Sequence, residues 1–563
     1  MKKILIALLF LTTIISCKKY LDINSDPDTP QNPDPTSVLP GILANIPFGG
    51  GERGTGGVAV DGVWIGSYIQ FWHARSVSPT LTDNNNDWDR HGYNGLTADR
   101  AGGIWRLLYF GAGKNMKYCI DEGIKKGQWD VVGVTLAIQA YLFQTATNYH
   151  GEIIYKDAFK EDSVFFRYDS QPTVYAGVDT MCRTALDYLN RLDYDVASLR
   201  LSRGDIVYGQ YADEITKWKK FTYGILARNF ASQINKTSYS PDSVLKYTDA
   251  ASGAMQSNAD DFLIPFDATR NADANPFGTF RDNLTALRQS DYIVRLLDGR
   301  VFSGSNAFPN RDPRLRHMLT RSADTLTSST NGGYRPAFPG IGDPNNTASS
   351  RIRATVVWGD SLNSNPGAGN FALPQGKYLF QNKAVFPIMT YAEMQFLRAE
   401  AALRKGDRGI AHTAYLNGIN SHFDFINRAS FPRANSILYN LTPITAAERT
   451  AYVNGPNVKS SATLTLGDIM QQKYIALWGW GFVETWTDMR KYHYIDQDIT
   501  NPGKQVYSGM IMPTPLFIDN GSNTKYAYRV RYRYNSEYVW NIYIPAVART
   551  ADYHTLEMWF SQP

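Results

Sequence analysis

The sequence predicts a mostly α protein: a scaffold of tetratricopeptide-like helical hairpins interrupted by a loop-rich, irregular subdomain. Three observations predict it. Apolar residues recur at helical spacing through about 95–298 and again through about 387–495. Between these blocks, 299–386 loses the helical period and is dominated by Gly, Asn, Pro, Ser and Thr. The chain of 563 residues is 13% aromatic and only 19% charged, an ordered composition, since disordered chains carry few aromatics and more charge.

At the N-terminus, Lys2 and Lys3 precede an apolar run from Ile4 to Ile15, and Ser16 precedes Cys17. A charged start, a short apolar stretch and a small residue at the cleavage point read as a signal peptide over 1–16. The run falls short of the ~20 residues a membrane-spanning helix needs. A Cys at that place resembles the bacterial lipobox, which implies cleavage before Cys17 and acylation of that residue. The plainer alternative is a secretory signal with a chance Cys. Residues 17–45 place Asp22, Asp26, Asp28 and Asp34 among Pro27, Pro30, Pro33 and Pro35 and are expected as an extended, lipidated tether. The remaining 46–563 is expected as the folded domain. Loss of Lys2 and Lys3 takes the net charge from +5 to +3. With no long Lys/Arg run, nucleic acid is excluded as a partner. No later stretch approaches 18 apolar residues, so membrane attachment is expected through lipid alone.

Trp105, Leu108, Ala112 and Met116 mark a helix that Gly127 ends. Val131 to Asn148 is apolar nearly all round, as in a buried helix, and the two are expected to form a hairpin. Further helices are expected near 172–194, 214–235 and 241–256. Cys119 and Cys182 fall in these segments and are expected free and buried. Helices resume at Thr390, where Thr390-x-x-Glu393 reads as a reciprocal capping box. Met394, Leu397 and Ala401 form the buried stripe, Gly406 ends the helix, and Asp407 caps the next, with Ala411, Tyr415 and Ile419. Small residues facing a large aromatic follow tetratricopeptide packing, although no 34-residue period repeats.

Catalytic chemistry finds little support. Glu484 and Asp488 share a helix face and could serve as acid and base. However, Tyr474, Trp478, Phe482 and Trp486 read as one packed i+4 row, and Arg490 and Lys491 lie close, so structural ion pairing is expected. Asp83-x-Asn85-x-Asp87 starts like a calcium loop but lacks the Gly and Glu at positions six and twelve. Gly54-x-Gly56-x-x-Ala59 follows no buried strand, and no HExxH or GxSxG occurs. No cofactor or metal is expected.

Aromatic residues among amides suit a sugar, whose apolar C–H face stacks on a ring while its hydroxyls meet polar groups. In the 79–94 loop these are Trp88 with Asn85, Asn86 and Tyr93; in 299–386 they are Tyr334, Phe338 and Trp358. The ligand site is expected where those two regions meet. Trp64, Tyr68 and Trp72, at four-residue spacing, read as helix core.

Several motifs, in order along the chain, resemble one family. They are Cys17-Lys-Lys-Tyr20-Leu21-Asp22-Ile23-Asn24; Trp105-Arg-Leu-Leu108-Tyr109 with Lys114-Asn115; and Arg311-Asp312-Pro313-Arg314-Leu315. Later come Tyr391-Ala-Glu393 through Ala399-Glu400-Ala401, then Gln472-Lys473-Tyr474 with Glu484-x-Trp486-x-Asp488-x-Arg490. Last is Arg533-Tyr534-Asn535-Ser536-Glu537, with Asn535 where the family usually has proline. Together they resemble the SusD/RagB-type outer-membrane nutrient-binding lipoproteins of Bacteroidetes. The resemblance implies a tetratricopeptide-type scaffold with a loop-rich ligand subdomain, and a lipid anchor facing the cell exterior. It also implies a SusC-like TonB-dependent barrel as partner, and binding of a glycan or oligosaccharide without catalysis. Binding of peptides or another non-sugar nutrient is the alternative reading, and a glycoside hydrolase the third.

Overall fold

The computed structural model describes residues 32–48, 57–74, 102–195, 198–281, 284, 287–304, 310–322, 331–345, 352–358, 376–428, 441–512, 516, 520–522 and 524–563. The first helix, α1, spans Pro35–Asn45. Asp34 caps it, accepting from the Thr36 N–H at 3.0 Å, and Pro35 occupies the first turn, where a missing N–H costs nothing. Leu39, Ile42 and Leu43 are fully buried. This stretch is therefore core, not the extended tether expected up to residue 45: three apolar residues at helical spacing outweigh the Pro/Asp composition.

Helix α2 (Val58–Tyr68) and strand β1 (Trp72–Ala74) follow. Tyr68 and Trp72 are buried, but Trp72 lies in the strand rather than the helix. Helix α3 (Gly103–Arg106), a π-helical segment (Leu107–Ala112) and α4 (Gly113–Lys125) run as one interrupted helix. Helix α5 (Trp129–His150) pairs with α4 and is buried on almost every side, as its uniform apolarity implies. Helices α6 (Gln171–Leu189), α7 (Glu214–Ala231) and α8 (Pro241–Tyr247) extend the stack. Helix α8 stops well short of 256, because Asp249 draws the Ala251 and Ser252 N–H groups into a turn. Cys119 and Cys182 are both free and buried. Burial raises both thiol pKa values, that of Cys119 to about 12.

The chain then leaves the stack. It forms β2 (Phe262–Ile264), β3 (Leu287–Gln289), α9 (Asp291–Leu297), α10 (Arg300–Ser303), α11 (Leu315–Met318) and β4 (Phe386–Met389). It re-enters at α12 (Tyr391–Lys405), which packs on α8. Two antiparallel ribbons tie the excursion down: β1 with β3, pairing Trp72 with Gln289, and β2 with β4, pairing Phe262 with Met389.

Helix α12 and α13 (Arg408–Ile426) form the most intimate hairpin after α5–α6. At their crossing Gly418 faces the Phe396 ring, and a Cβ there would lie 2.7 Å from it, the small-against-aromatic packing the sequence implied. Thr390 accepts from the Glu393 N–H at 3.3 Å, but the expected return bond is absent. Glu393 instead grips the Arg228 guanidinium at 2.7 and 2.6 Å, a stronger charge-assisted pairing than a backbone N–H offers. Reciprocal boxes do form at Thr445/Glu448, starting α14 (Ala446–Val453), and at Thr465/Asp468, starting α15 (Leu466–Leu477). The row Tyr474, Trp478, Phe482 and Trp486 is buried but not on one helix. Gly479, at φ +91°, turns the chain before α16 (Phe482–Lys491). Among the described residues no helix is long and apolar enough to cross a membrane.

Candidate functional site

The loop-rich excursion bears an open cleft of about 410 Å³, within the range of small-molecule sites. Its floor is the Asp312-Pro313-Arg314-Leu315 turn. The Asp312 carboxylate accepts from the Arg314 N–H at 2.9 Å and pairs with its guanidinium at 2.5 Å, both side chains being fully buried. Arg314 also donates to Gln472 Oε1 at 2.6 Å and meets His422 Nδ1 at 3.0 Å. Burial, and then the Arg314 charge, hold the His422 pKa far below its ordinary value, so the imidazole is neutral and can accept from Arg314. A buried ion pair with this many partners is rigid, and costly to break from one side.

The turn sends Arg311 and Arg316 to the cleft lining. Arg316 grips Glu448 of α14 with two bonds, at 2.8 and 3.1 Å. Burial opposes ionisation of Glu448, but Arg316 and the Thr445 N–H and hydroxyl outweigh it and bring its pKa to about 2. Tyr334 walls one side, 7% exposed. Asn457 is 1% exposed. Its amide donates to the Asn310 carbonyl at 2.6 Å, while its Oδ1 is buried without a hydrogen-bond partner. Such an atom is rare in a folded protein. The cleft is thus walled by the Tyr334 ring, the buried Asn457 amide, Arg311 and the Arg316–Glu448 ion pair.

Of the residues expected at the site, Trp88, Asn85, Asn86, Tyr93 and Cys17 lie outside the described residues. Tyr334 lines the cleft. Phe338 is half-buried, bridges to Gly342 and does not line it. Trp358 is a correction: it is fully buried, its indole donating to the Phe277 carbonyl at 2.8 Å. Val356 bridges to Arg288 of β3, and that pairing draws Val357 and Trp358 into the core. Arg316, Glu448 and Asn457 escaped sequence reasoning as site residues. The Arg311-to-Leu315 turn was singled out in the sequence, but not its meeting in space with Glu448 and Asn457.

Glu484 and Asp488 sit in a buried ionic network. Glu484 pairs with Arg228 at 2.9 Å; Asp488 pairs with Lys473 at 2.6 Å and Lys491 at 2.8 Å. Arg490, expected among the partners, instead lies over the Trp486 ring at 3.7 Å. The space beside the network is about 30 Å³, a water's worth and far too small for a sugar.

A second cleft, of about 640 Å³, lies where two sequence motifs far apart in the chain converge. Trp105 lies just before one π segment and Tyr109 within it, while Arg533 precedes another, Tyr534–Tyr538, which contains Ser536 and Glu537. Glu537 is buried and accepts from the Tyr168 hydroxyl at 2.5 Å and the Asn541 amide at 2.9 Å. Tyr109 donates to the Ile154 carbonyl at 2.6 Å. Both π segments of the described chain line this cleft, and such segments concentrate at functional places.

Residues 68–516 match the SusD-like family, described as starch-binding and associating with the outer membrane. The chain belongs to the SusD-like family. No curated protein sequence matches it. Among solved structures it resembles a SusD/RagB family protein from Bacteroides thetaiotaomicron, with TM-score 0.68 and 19% identity over 94% of this chain and 99% of that one. A SusD homolog from Bacteroides fragilis gives 0.66 and 17% over 94% and 100%. A chitin-binding SusD homolog from Flavobacterium johnsoniae gives 0.59 and 19% over 94% and 98%. These TM-scores establish a shared fold. The SusD-like family is a binding family associated with the outer membrane, and this member has its helical, tetratricopeptide-like architecture.

Proposed function

We propose that this SusD-like protein is a cell-surface lipoprotein, anchored through Cys17, that captures an oligosaccharide and passes it unaltered to a TonB-dependent outer-membrane barrel. The ligand rests in the Tyr334 cleft, and the 79–94 loop supplies Trp88, Asn85, Asn86 and Tyr93 as further contacts. One observation carries the placement: Asn457 Oδ1, buried and unpaired beside an aromatic wall. A glycan C–H face would cover the ring, and a small shift of the Asn457 side chain would let a glycan hydroxyl reach that oxygen. The family's description as starch-binding and the chitin-binding homolog support a sugar over other nutrients. The pairing of Glu484 and Asp488 with buried cations supports binding without hydrolysis.

Screening the full chain on glycan and peptide arrays tests this. Capture of an oligosaccharide, recovered intact after long incubation, is expected. Capture of peptides alone would replace the sugar with the family's other nutrient class. Turnover lost on Glu484→Gln would make the protein a hydrolase.

A further inference from the structure

A third cleft, of about 320 Å³, adjoins the Tyr334 cleft. The turn over 455–459 stands between them. Asn457 lines the Tyr334 cleft, and Lys459, two residues on and at most about 7 Å along the chain, lines the third. Across from this turn, Gly299 approaches so closely that a Cβ there would lie 2.8 Å from the Asn310 carbonyl oxygen and 3.0 Å from the Asn457 amide. The helix it starts, α10, brings Val301 and Phe302 to the third cleft. The turn is fixed: the Val458 N–H donates to the Gly455 carbonyl at 3.2 Å, and His412 Nε2 meets the Lys459 carbonyl at 3.1 Å.

The third cleft is lined by polar groups, only some of which are satisfied. Asp498 is spent: Oδ2 accepts from the Gly467 N–H at 2.7 Å, and Oδ1 from the Thr500 N–H at 2.7 Å and hydroxyl at 2.6 Å. Asp468, 8% exposed, is half spent. Its Oδ2 accepts from the Thr465 N–H at 3.0 Å and hydroxyl at 2.7 Å, while Oδ1 has no hydrogen-bond partner among the described residues. Burial outweighs the Thr465 bonds and raises the Asp468 pKa, as befits a carboxylate short of donors. The Asn501 and Gln505 side-chain amides bond to no described residue. Their loop is nonetheless held in place, by the Asp498 N–H on the Lys504 carbonyl at 2.7 Å and by the bridge from Gln497 to Gln505.

These groups select an occupant. One carboxylate oxygen that accepts, beside two amides that both accept and donate, suits neighbouring hydroxyls, which also do both. Val301 and Phe302 give the C–H face of a sugar an apolar strip. A metal cation would meet Lys459 and Lys504 in the same lining. Among the described residues no group of three or more His, Cys, Asp or Glu could hold one. An anion would meet the open Asp468 oxygen.

We propose that the third cleft is a second saccharide subsite, so that one oligosaccharide crosses the 455–459 turn and lies in both clefts. The proposal rests on the sugar reading above and deepens it: the ligand class is a chain of several sugar residues, not a mono- or disaccharide. Calorimetry on the full chain tests it. The probes are malto- and chito-oligosaccharides, the sugars of the family's description and of the chitin-binding homolog, and any further glycan the array captures, each as a disaccharide and a hexasaccharide. In a series that binds, the hexasaccharide should bind at least about tenfold tighter than the disaccharide, because its far end finds the second subsite intramolecularly. Asn501→Ala/Gln505→Ala should abolish that advantage, with disaccharide affinity and the circular dichroism spectrum unchanged. Tyr334→Leu should instead weaken both lengths. Equal wild-type affinity for the two lengths, or a double variant that keeps the full advantage, would overturn the subsite and leave the sugar reading standing. Binding of no glycan in any series would bring down the sugar reading, and the subsite with it.

Discussion

The two larger open clefts of this protein differ in what lines their walls. In the Tyr334 cleft Arg316 is paired with Glu448 and the floor holds the Arg314–Asp312 pair, with Arg311 beside them. The Tyr334 ring and the buried Asn457 amide complete its wall. In the Trp105–Glu537 cleft the buried Glu537 is bonded to Tyr168 and Asn541, and Arg106, Lys114, Lys160 and Arg533 line the walls beside the exposed Phe110. The comparison teaches that one helical scaffold can carry two differently lined clefts, because each is set by a short segment appended to it.

That contrast can be broken at several points. The largest effect should come from Arg314→Met, which strands the buried Asp312 carboxylate; about 3–5 kcal/mol of stability should go, visible as a lower urea midpoint. Oligosaccharide binding should fall with it, since the cleft floor is that ion pair. Glu537→Gln, in the second cleft, loses the charge in two hydrogen bonds and should cost about 2 kcal/mol, with oligosaccharide affinity unmoved. If that affinity drops as well, the two clefts are one coupled unit and the comparison fails.

A smaller effect depends on pH. The Glu448 pKa, brought down to about 2 from 4.5, means that the unfolded chain takes up this proton before the fold does. The contribution of Glu448 to stability is thus whole above about 4.5 and is lost as pH falls toward 2. The urea midpoints of wild type and Arg316→Met should accordingly differ most near neutrality and converge on acidification. A gap that widens with acid would mean that the Arg316–Glu448 pair is not what depresses this pKa.

Much of the scaffold was legible in the sequence. Uniform apolarity over 131–148 marked the buried α5, and Gly406 after Lys405 marked the end of α12. Helix α1 was legible too, in Asp34-Pro35 and the Leu39/Ile42/Leu43 spacing, but its Pro-rich surroundings read as tether. The site was harder. Tyr334 and Trp358 are alike as aromatics in a polar segment and both end up buried, but Trp358, beside the Val356 bridge to β3, is wholly enclosed, whereas Tyr334 still lines a cleft. Arg316 and Glu448 meet across more than a hundred residues, a contact no local pattern encodes. The capping box at Thr390 shows the same limit, since Glu393 serves Arg228 from another helix instead.

The account stands most directly on calorimetric titration of the array-identified oligosaccharide into wild type, Tyr334→Leu and Asn457→Leu, with circular dichroism as the folding control. Loss of ring stacking, ~1–1.5 kcal/mol, and loss of one accepted hydrogen bond, ~1 kcal/mol, should each weaken binding about 5- to 10-fold in variants that remain folded. Folded variants that both bind as tightly as wild type would show that the sugar does not occupy the Tyr334 cleft.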